Sequence, residues 1–416
     1  MPSEEHIVRF FNTFLDYEKK TSKITQKDFE EFKKNLEKYI SLEKLPFKII
    51  HIAGTKGKTS LTSLLAKVFE SNNYKVGTFI SPHLSSYTER IKINNIPISH
   101  KTLLEISKEV AKYRSFKKEN SFKTVFEILF TTSIIYFMEN DVNVAIYETG
   151  LGGRLDVTNA FKKVWRIIFT PIYYDHTHLL GKNLYMIARE KGGIIKKNTK
   201  IYSFLQRKEV MQVLKMLAYK NKSFLKVFNP VKYKIKINPE NQEIFIKHNS
   251  YPYKSPINIG HIKNVAFVDF LHKHKFFPDN FKIKMDSLLN MKTEGRWEII
   301  EKNGKIFIFD GAHCKLSAYN LKRNIQTYFP NENITFVLSF LKDKNFKDFI
   351  SIIYDKRYFF YYYQINYPRA LKYEKLKESV FINIKKFRSI DEIKTNIVIF
   401  TGSFYFLQDM KNELLS

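Results

Sequence analysis

The strongest constraint on this chain is a strand-like run, Phe47 to Ala53, that ends in the turn Gly54-Thr55-Lys56-Gly57-Lys58-Thr59-Ser60. Leu61, Leu64, Leu65, Val68 and Phe69 then recur at helical spacing, so the order is strand, glycine loop, helix, the context that a phosphate loop requires. A helix that starts at such a turn aims unpaired N–H groups and the positive end of its dipole at an oxyanion. The turn has the GKT core of a phosphate loop but is shorter than the usual GxxxxGK[ST] spacing, with Ile52 where the first glycine would fall. Lys58 is expected to pair with the β- and γ-phosphates of a nucleotide, and the Thr59 or Ser60 hydroxyl to help order Mg²⁺.

The same alternation runs on. Helical spacing covers Thr25 to Lys44, with Phe29, Phe32, Leu36 and Ile40 on one face. Val142 to Tyr147 reads as a buried strand with Glu148 at its carboxyl end, and Arg166 to Thr170 as another, with Asp175 and His176 just beyond. Asn183 to Glu190 reads as helix, Val231 to His248 has period-two character, and a helix begins near His261. Ile306 to Phe309, Ile334 to Ser339 and Ile397 to Phe400 read as strands that precede Asp310, Asp343 and Gly402. Strands alternating with helices predict α/β architecture with mostly parallel sheets, and polar motifs just past strand ends lie where such sheets bind ligands. The expected division is a phosphate-loop ATPase domain, residues 1–292, and a smaller Rossmann-like α/β domain, residues 293–416, beginning at Thr293-Glu294-Gly295-Arg296.

Composition bounds the function classes. A formal net charge of +29 invites a nucleic-acid reading. However, the basic residues are spread along the chain, and lysine outnumbers arginine roughly five to one, whereas arginine is the usual reader of bases and phosphates. The expectation is therefore no nucleic acid, with the basic surface steering small anions instead. The longest apolar stretch, Ile128 to Met138, is bracketed by Glu127 and Glu139 and is too short to span a bilayer. The start MPSEEHIVRF lacks the pattern of a secretory signal, and the single Cys314 precludes an internal disulfide, so a reducing cytoplasm is expected.

Several longer blocks then agree in order. They are Ser81-Pro82-His83-Leu84, Thr124-Val125-Phe126-Glu127, and Glu148-Thr149-Gly150-Leu151-Gly152-Gly153-Arg154-Leu155-Asp156-Val157-Thr158-Asn159, followed by Ile187 to Lys196 (IAREKGGIIK). Together with the short GTxGK[ST] loop, they resemble the folylpolyglutamate and dihydrofolate synthases, the folate branch of the Mur-ligase superfamily. The resemblance implies an ATP-dependent ligase that joins L-glutamate to a folate or dihydropteroate carboxylate through an acyl phosphate, in folate and one-carbon metabolism. It implies monomers acting on small molecules, away from membranes.

The resemblance also carries site residues. Ser81, Glu148, His176 and Lys191 would serve two Mg²⁺ ions, Lys191 as the family's carbamylated lysine. Thr55, Gly57, Lys58, Thr59 and Ser60 would hold ATP, with Asn264 in Gly260 to Ala266 meeting the adenine. Arg296 would bridge to the phosphates, and Asp310 and His313 of Asp310-Gly311-Ala312-His313 would contact ATP. Lys58, Glu148, His176, Lys191 and Arg296 form the catalytic set, and Phe126, Arg154, Leu155 and Asp156 are the acceptor-binding set. Two departures stand out: Gly192 where the family has Ala, and Cys314-Lys315 where it has Asn-Pro. Thr59 is more common among ligases with other acceptors, so a Mur-type amide ligase acting on a different carboxylate is the rival reading.

Overall fold

The computed structural model describes residues 2–15, 24–83, 86–112, 124–292, 294–342 and 344–415. The chain packs as two compact units: Met1–Tyr233 with Asn264–Lys284, and Lys234–Lys263 with Met285–Ser416. The division expected at Lys292 differs from this one. By packing, residues 234–263 and 285–292 go with the second unit, because the chain passes between units within the helix Ile259–Lys273.

In the first unit the strands are β1 (Lys48–Ala53), β2 (Val76–Phe79), β3 (Ile91–Ile93), β4 (Ile96–Pro97), β5 (Val144–Glu148), β6 (Arg166–Phe169), β7 (Lys200–Phe204) and β8 (Phe224–Phe228). Among the described residues they form one sheet in the order β4-β3-β2-β5-β1-β6-β7-β8. The run from β2 to β8 is parallel, and β3 and β4 add antiparallel strands at one end. β1 lies between β5 and β6, where the strand order turns outward in both directions, so its carboxyl end opens at the topological switch point.

Helices cover the sheet. The helix Val125–Glu139 is apolar nearly all round because Ile128, Leu129, Phe130, Ile134 and Phe137 are fully buried. Thr124 starts it with a capping box, accepting from the Glu127 N–H while the Glu127 carboxylate accepts from the Thr124 N–H. The helix expected over Thr25 to Lys44 runs only from Gln26 to Tyr39. Pro46 disfavours helical backbone at Leu45, and Ile40 is already extended. No described helix is long and apolar enough to cross a membrane.

The second unit holds an antiparallel ribbon of β9 (Lys236–Asn238), β10 (Glu243–Ile246) and β11 (Asn249–Pro252), which accounts for the period-two stretch. Its main sheet contains β12 (Glu298–Lys302), β13 (Lys305–Asp310), β14 (Ile334–Leu338), β15 (Phe359–Tyr362), β16 (Ile384–Lys386) and β17 (Ile397–Thr401). Their order among the described residues is β12-β13-β17-β14-β15-β16, parallel except for β12. The α/β class with mostly parallel sheets is as expected.

Candidate active site

Register brings the first unit's motifs to one edge. Ile52 of β1 and Glu148 of β5 are paired, as are Phe79 of β2 and Tyr147, and Ala53 and Phe169 of β6. The Gly54–Ser60 turn, Ser81, Glu148 and the Asp175-His176 segment therefore all follow the carboxyl ends of neighbouring strands. Gly57 is the N-cap of the helix Lys58–Glu70 at φ 83°, a left-handed conformation that disfavours side chains. Thr55 is tied down beside it: its N–H donates to Pro171 O at 2.9 Å, and its hydroxyl accepts from the Tyr173 N–H at 3.0 Å. The Asn264 amide lies near Gly57, 3.7 Å from where a Cβ would stand, so the fold places this residue beside the loop.

Charge is concentrated on this edge. Lys58 Nζ is 3.6 Å from Glu148 Oε1, both side chains being largely buried. Thr59 Oγ1 donates to Glu148 Oε2 at 2.9 Å, which gives this threonine a defined job. Lys191 is buried on the helix Leu184–Gly192 and donates to Gly54 O at 2.9 Å. Burial first, and Lys58 second, push its ammonium down to about 7, opposed by Asp175, Asp156 and Glu148. His176, half-exposed in the left-handed region at φ 48°, has Nε2 3.7 Å from Asp175 Oδ1. Asp175 thus belongs to the electrostatic set although the sequence reading left it out. The Asp175-His176 pair itself was the available signal.

A depressed lysine has a stability consequence with a definite sign. Folded Lys191 sheds its proton near pH 7 while the unfolded lysine keeps it to about pH 10.5. Lys191 therefore costs stability at neutral pH, and the cost fades as pH rises through that window. In bicarbonate-free buffer Lys191→Met is expected to melt several degrees above wild type at pH 7, with the gap closing towards pH 10.5. A gap independent of pH in thermal melts would contradict the buried, depressed lysine.

Of the residues expected to take the acceptor, Arg154, Leu155 and Asp156 lie in the loop after β5 and Phe126 packs over it. Phe126 lies directly over Gly150 and packs on Phe79, ring centroids 5.3 Å apart. Arg154 is exposed and donates from Nε to Glu190 Oε1 at 3.0 Å, and Leu155 is half-buried. Asp156 faces inward: it is 3% exposed and accepts from Leu151 N–H, Thr158 N–H and Thr158 Oγ1, so its carboxylate closes its own loop. Burial raises its pKa against those donors. Gly153 meets the next helix so closely that a Cβ would stand 2.7 Å from Lys191 O and 2.9 Å from Glu190 O.

The remaining residues lie in the second unit. The Arg296 guanidinium sits over the Phe404 ring, 4.1 Å from its centroid, a cation–π contact that sequence motifs did not single out. Asp310 ends β13, and its Oδ1 accepts from the Ala312 N–H at 2.9 Å. His313 Nδ1 lies 2.8 Å from Gly311 O. Cys314 caps the helix Lys315–Tyr328, with its N–H on Ser317 Oγ at 3.0 Å. Leu84, Thr293 and Asp343 lie outside the described residues.

No group of three or more His, Cys, Asp or Glu side chains is gathered as a metal site among the described residues. The donors at this edge include the Glu148 and Asp175 carboxylates, the His176 ring and the Thr59, Ser60 and Ser81 hydroxyls. Carboxylates with hydroxyls suit Mg²⁺, which keeps waters and takes phosphate oxygens, rather than an all-protein cage. The residues present fit such an ion.

No family model matches the chain. Among curated relatives, the dihydrofolate synthase/folylpolyglutamate synthase of Bacillus subtilis is 28% identical over 387 residues, covering 88% of this chain and 90% of that protein. That of Buchnera aphidicola subsp. Baizongia pistaciae is 31% identical over 300 residues, 72% of this chain and 68% of its own length. The chain belongs to the dihydrofolate synthase/folylpolyglutamate synthase family. The fold agrees: the crystal structure of the bifunctional folylpolyglutamate synthase/dihydrofolate synthase of Yersinia pestis, complexed with AMPPNP and a Mn ion, matches with TM-score 0.80 at 21% identity, covering 100% of this chain and 98% of that one. As a member of this family, the chain is an ATP-dependent ligase.

Proposed function

We propose that this chain adds L-glutamate to the carboxylate of a folate, of dihydropteroate, or of both. The observation that carries the reading is the Lys58–Glu148–Thr59 cluster at the switch point, with Lys191 tied to the same loop through Gly54 O. A carboxylate oxygen is a poor leaving group, so ATP must first convert the acceptor to an acyl phosphate, which the glutamate amine then attacks. Phosphoryl transfer needs positioning and charge neutralisation more than covalent help. Lys58 leaves Glu148 to pair with the β- and γ-phosphates, while the helix start at Gly57 orients them.

Glu148, Ser81, His176 and Lys191 would hold Mg²⁺, which would supply positive charge against the phosphates. Lys191 would serve as the carbamate: its depressed pKa supplies the neutral amine, which adds to carbon dioxide and releases a proton to solvent. Asn264 holds the adenine, and Arg296, Asp310 and His313 of the second unit contact ATP. Phe126, Arg154, Leu155 and Asp156 take the acceptor, Asp156 also keeping its own loop closed. The first unit is the ATP-binding domain and the second the ligase domain, working as a cytoplasmic monomer on small molecules.

The test supplies purified protein with ATP, Mg²⁺ and glutamate, and compares dihydropteroate with tetrahydrofolate. ADP release that requires both glutamate and one of these acceptors is expected; release that requires neither sinks the proposal. Arg296→Ala is expected to lower kcat on the order of 10²-fold, as for loss of one donor to developing charge. Full turnover by that variant in the same assay would remove Arg296 from the machinery.

A further inference from the structure

We propose that His51 is a positioning residue for the acceptor loop Thr149–Asn159, acting through Thr158 on Asp156. The proposal rests on the reading of that loop as part of the acceptor site. His51 stands in the middle of β1, paired with Tyr147 of β5 and Ile167 of β6. Strand alternation puts it on the same face as Ile49 and Ala53, which belong to the first unit's core. It is fully buried. Such a position ordinarily takes an aliphatic residue, since a polar ring there loses its water.

The ring is spent on one bond across 107 residues, with Nε2 2.8 Å from Thr158 Oγ1. Thr158 donates its hydroxyl proton to Asp156 Oδ1 at 2.5 Å, and its N–H to the same oxygen at 3.0 Å. With that proton committed, the threonine oxygen can only accept, so Nε2 carries the ring's proton and Nδ1 is bare. Nδ1 has no hydrogen-bond partner among the described residues. Burial, then Lys196, push the ring down to about 3, so this neutral tautomer persists through the physiological range.

The consequence is geometric. The histidine fixes the Thr158 rotamer, Thr158 fixes one Asp156 oxygen, and the other oxygen takes the Leu151 N–H at 2.8 Å. Residues 151 to 158 are thereby closed between Phe126, which lies over Gly150, and Glu190, which takes the Arg154 guanidinium. A second tether, Asn159 Nδ2 donating to Arg154 O and Gly193 O, holds the loop's far end. β1 also leads straight into the phosphate loop at Gly54, so one strand sets the register of both loops. A histidine that merely filled the core would not need an unsatisfied nitrogen to do so.

The experiment uses the full chain with His51→Leu, His51→Gln and Thr158→Val. His51→Leu is expected to raise the acceptor KM about 5- to 10-fold, the scale of one lost hydrogen bond, with the ATP KM near wild type. Amide exchange across residues 149–159, read by mass spectrometry, should quicken about 10-fold. His51→Gln carries an amide nitrogen at the reach of Nε2 and should restore both values. His51→Leu combined with Thr158→Val should be no worse than His51→Leu alone.

An unchanged acceptor KM and unchanged loop exchange overturn the proposal, as does an equal rise in the ATP KM or a His51→Gln no better than His51→Leu. If His51→Leu does not fold, Thr158→Val against Thr158→Ser decides: fast loop exchange only in the valine variant supports the relay, and equal behaviour overturns it. Wild-type protein without acceptor-dependent turnover would refute the site reading, while the exchange measurement still judges the relay.

Discussion

Lys58→Met is expected to lower glutamate-dependent ADP release by about 10³-fold, the upper range for loss of one preorganised charge contact, and to weaken nucleotide binding as well. The argument starts from the pair it breaks. Lys58 is at the first position of its helix, 3.6 Å from Glu148 Oε1, and also donates to Gly54 O at 3.4 Å. A lysine so placed neutralises Glu148, and under the proposed function it is released to the phosphates when a nucleotide binds. Methionine keeps the length and removes the charge. The buried Glu148 carboxylate then keeps Thr59 as a donor but loses the Lys58 ammonium, so the variant should also melt below wild type. Titration of a nucleotide analogue, ADP-release kinetics and thermal melts separate these effects. Wild-type nucleotide affinity with wild-type turnover would show that the loop binds something else.

The contiguous features of the site were legible in the sequence, and the folded-together ones were not. The Gly54–Ser60 loop could be read because strand, turn and helix signals lie side by side, and Glu148 because it ends a run of apolar strand residues. Phe404 and His51 depend on neighbours far along the chain. Nothing local says that Phe404 lies under Arg296, or that Thr158 meets His51 across the sheet. A histidine in the middle of an apolar strand was nevertheless a visible anomaly.

Boundaries likewise depend on neighbours that the local sequence does not name. Apolar spacing continues through Ile40 and Leu42, yet the helix stops at Tyr39 because the chain must reach Pro46 and enter β1. The division at Lys292 followed a motif, whereas packing decides which core the segments 234–263 and 285–292 join. Periodicity reports that a face is buried, not which neighbour buries it. Asp156 shows the same limit within a motif. Its place in the Gly150–Asn159 string points to the acceptor, but nothing local shows that its oxygens also accept from Leu151 and Thr158.

Glu148→Gln should fail differently from Lys58→Met, and the contrast tests how the cluster divides its labour. The amide is isosteric and can still accept the Thr59 hydroxyl, so the local packing at β5 is kept. What is lost is the buried Glu148 carboxylate, and with it the anionic anchor proposed for Mg²⁺. Lys58 also loses its partner and becomes available to phosphate without competition. Nucleotide binding in the absence of metal is therefore expected to hold or tighten, while turnover falls about 10²- to 10³-fold. The Mg²⁺ concentration for half-maximal rate should rise about 10-fold or more. Metal titrations at fixed ATP, read by ADP release, decide the matter. Were Glu148→Gln to match wild type in its metal dependence, the anchor would have to lie elsewhere on this edge. Asp175, close enough to Lys191 to shift its titration, would be the carboxylate to replace next.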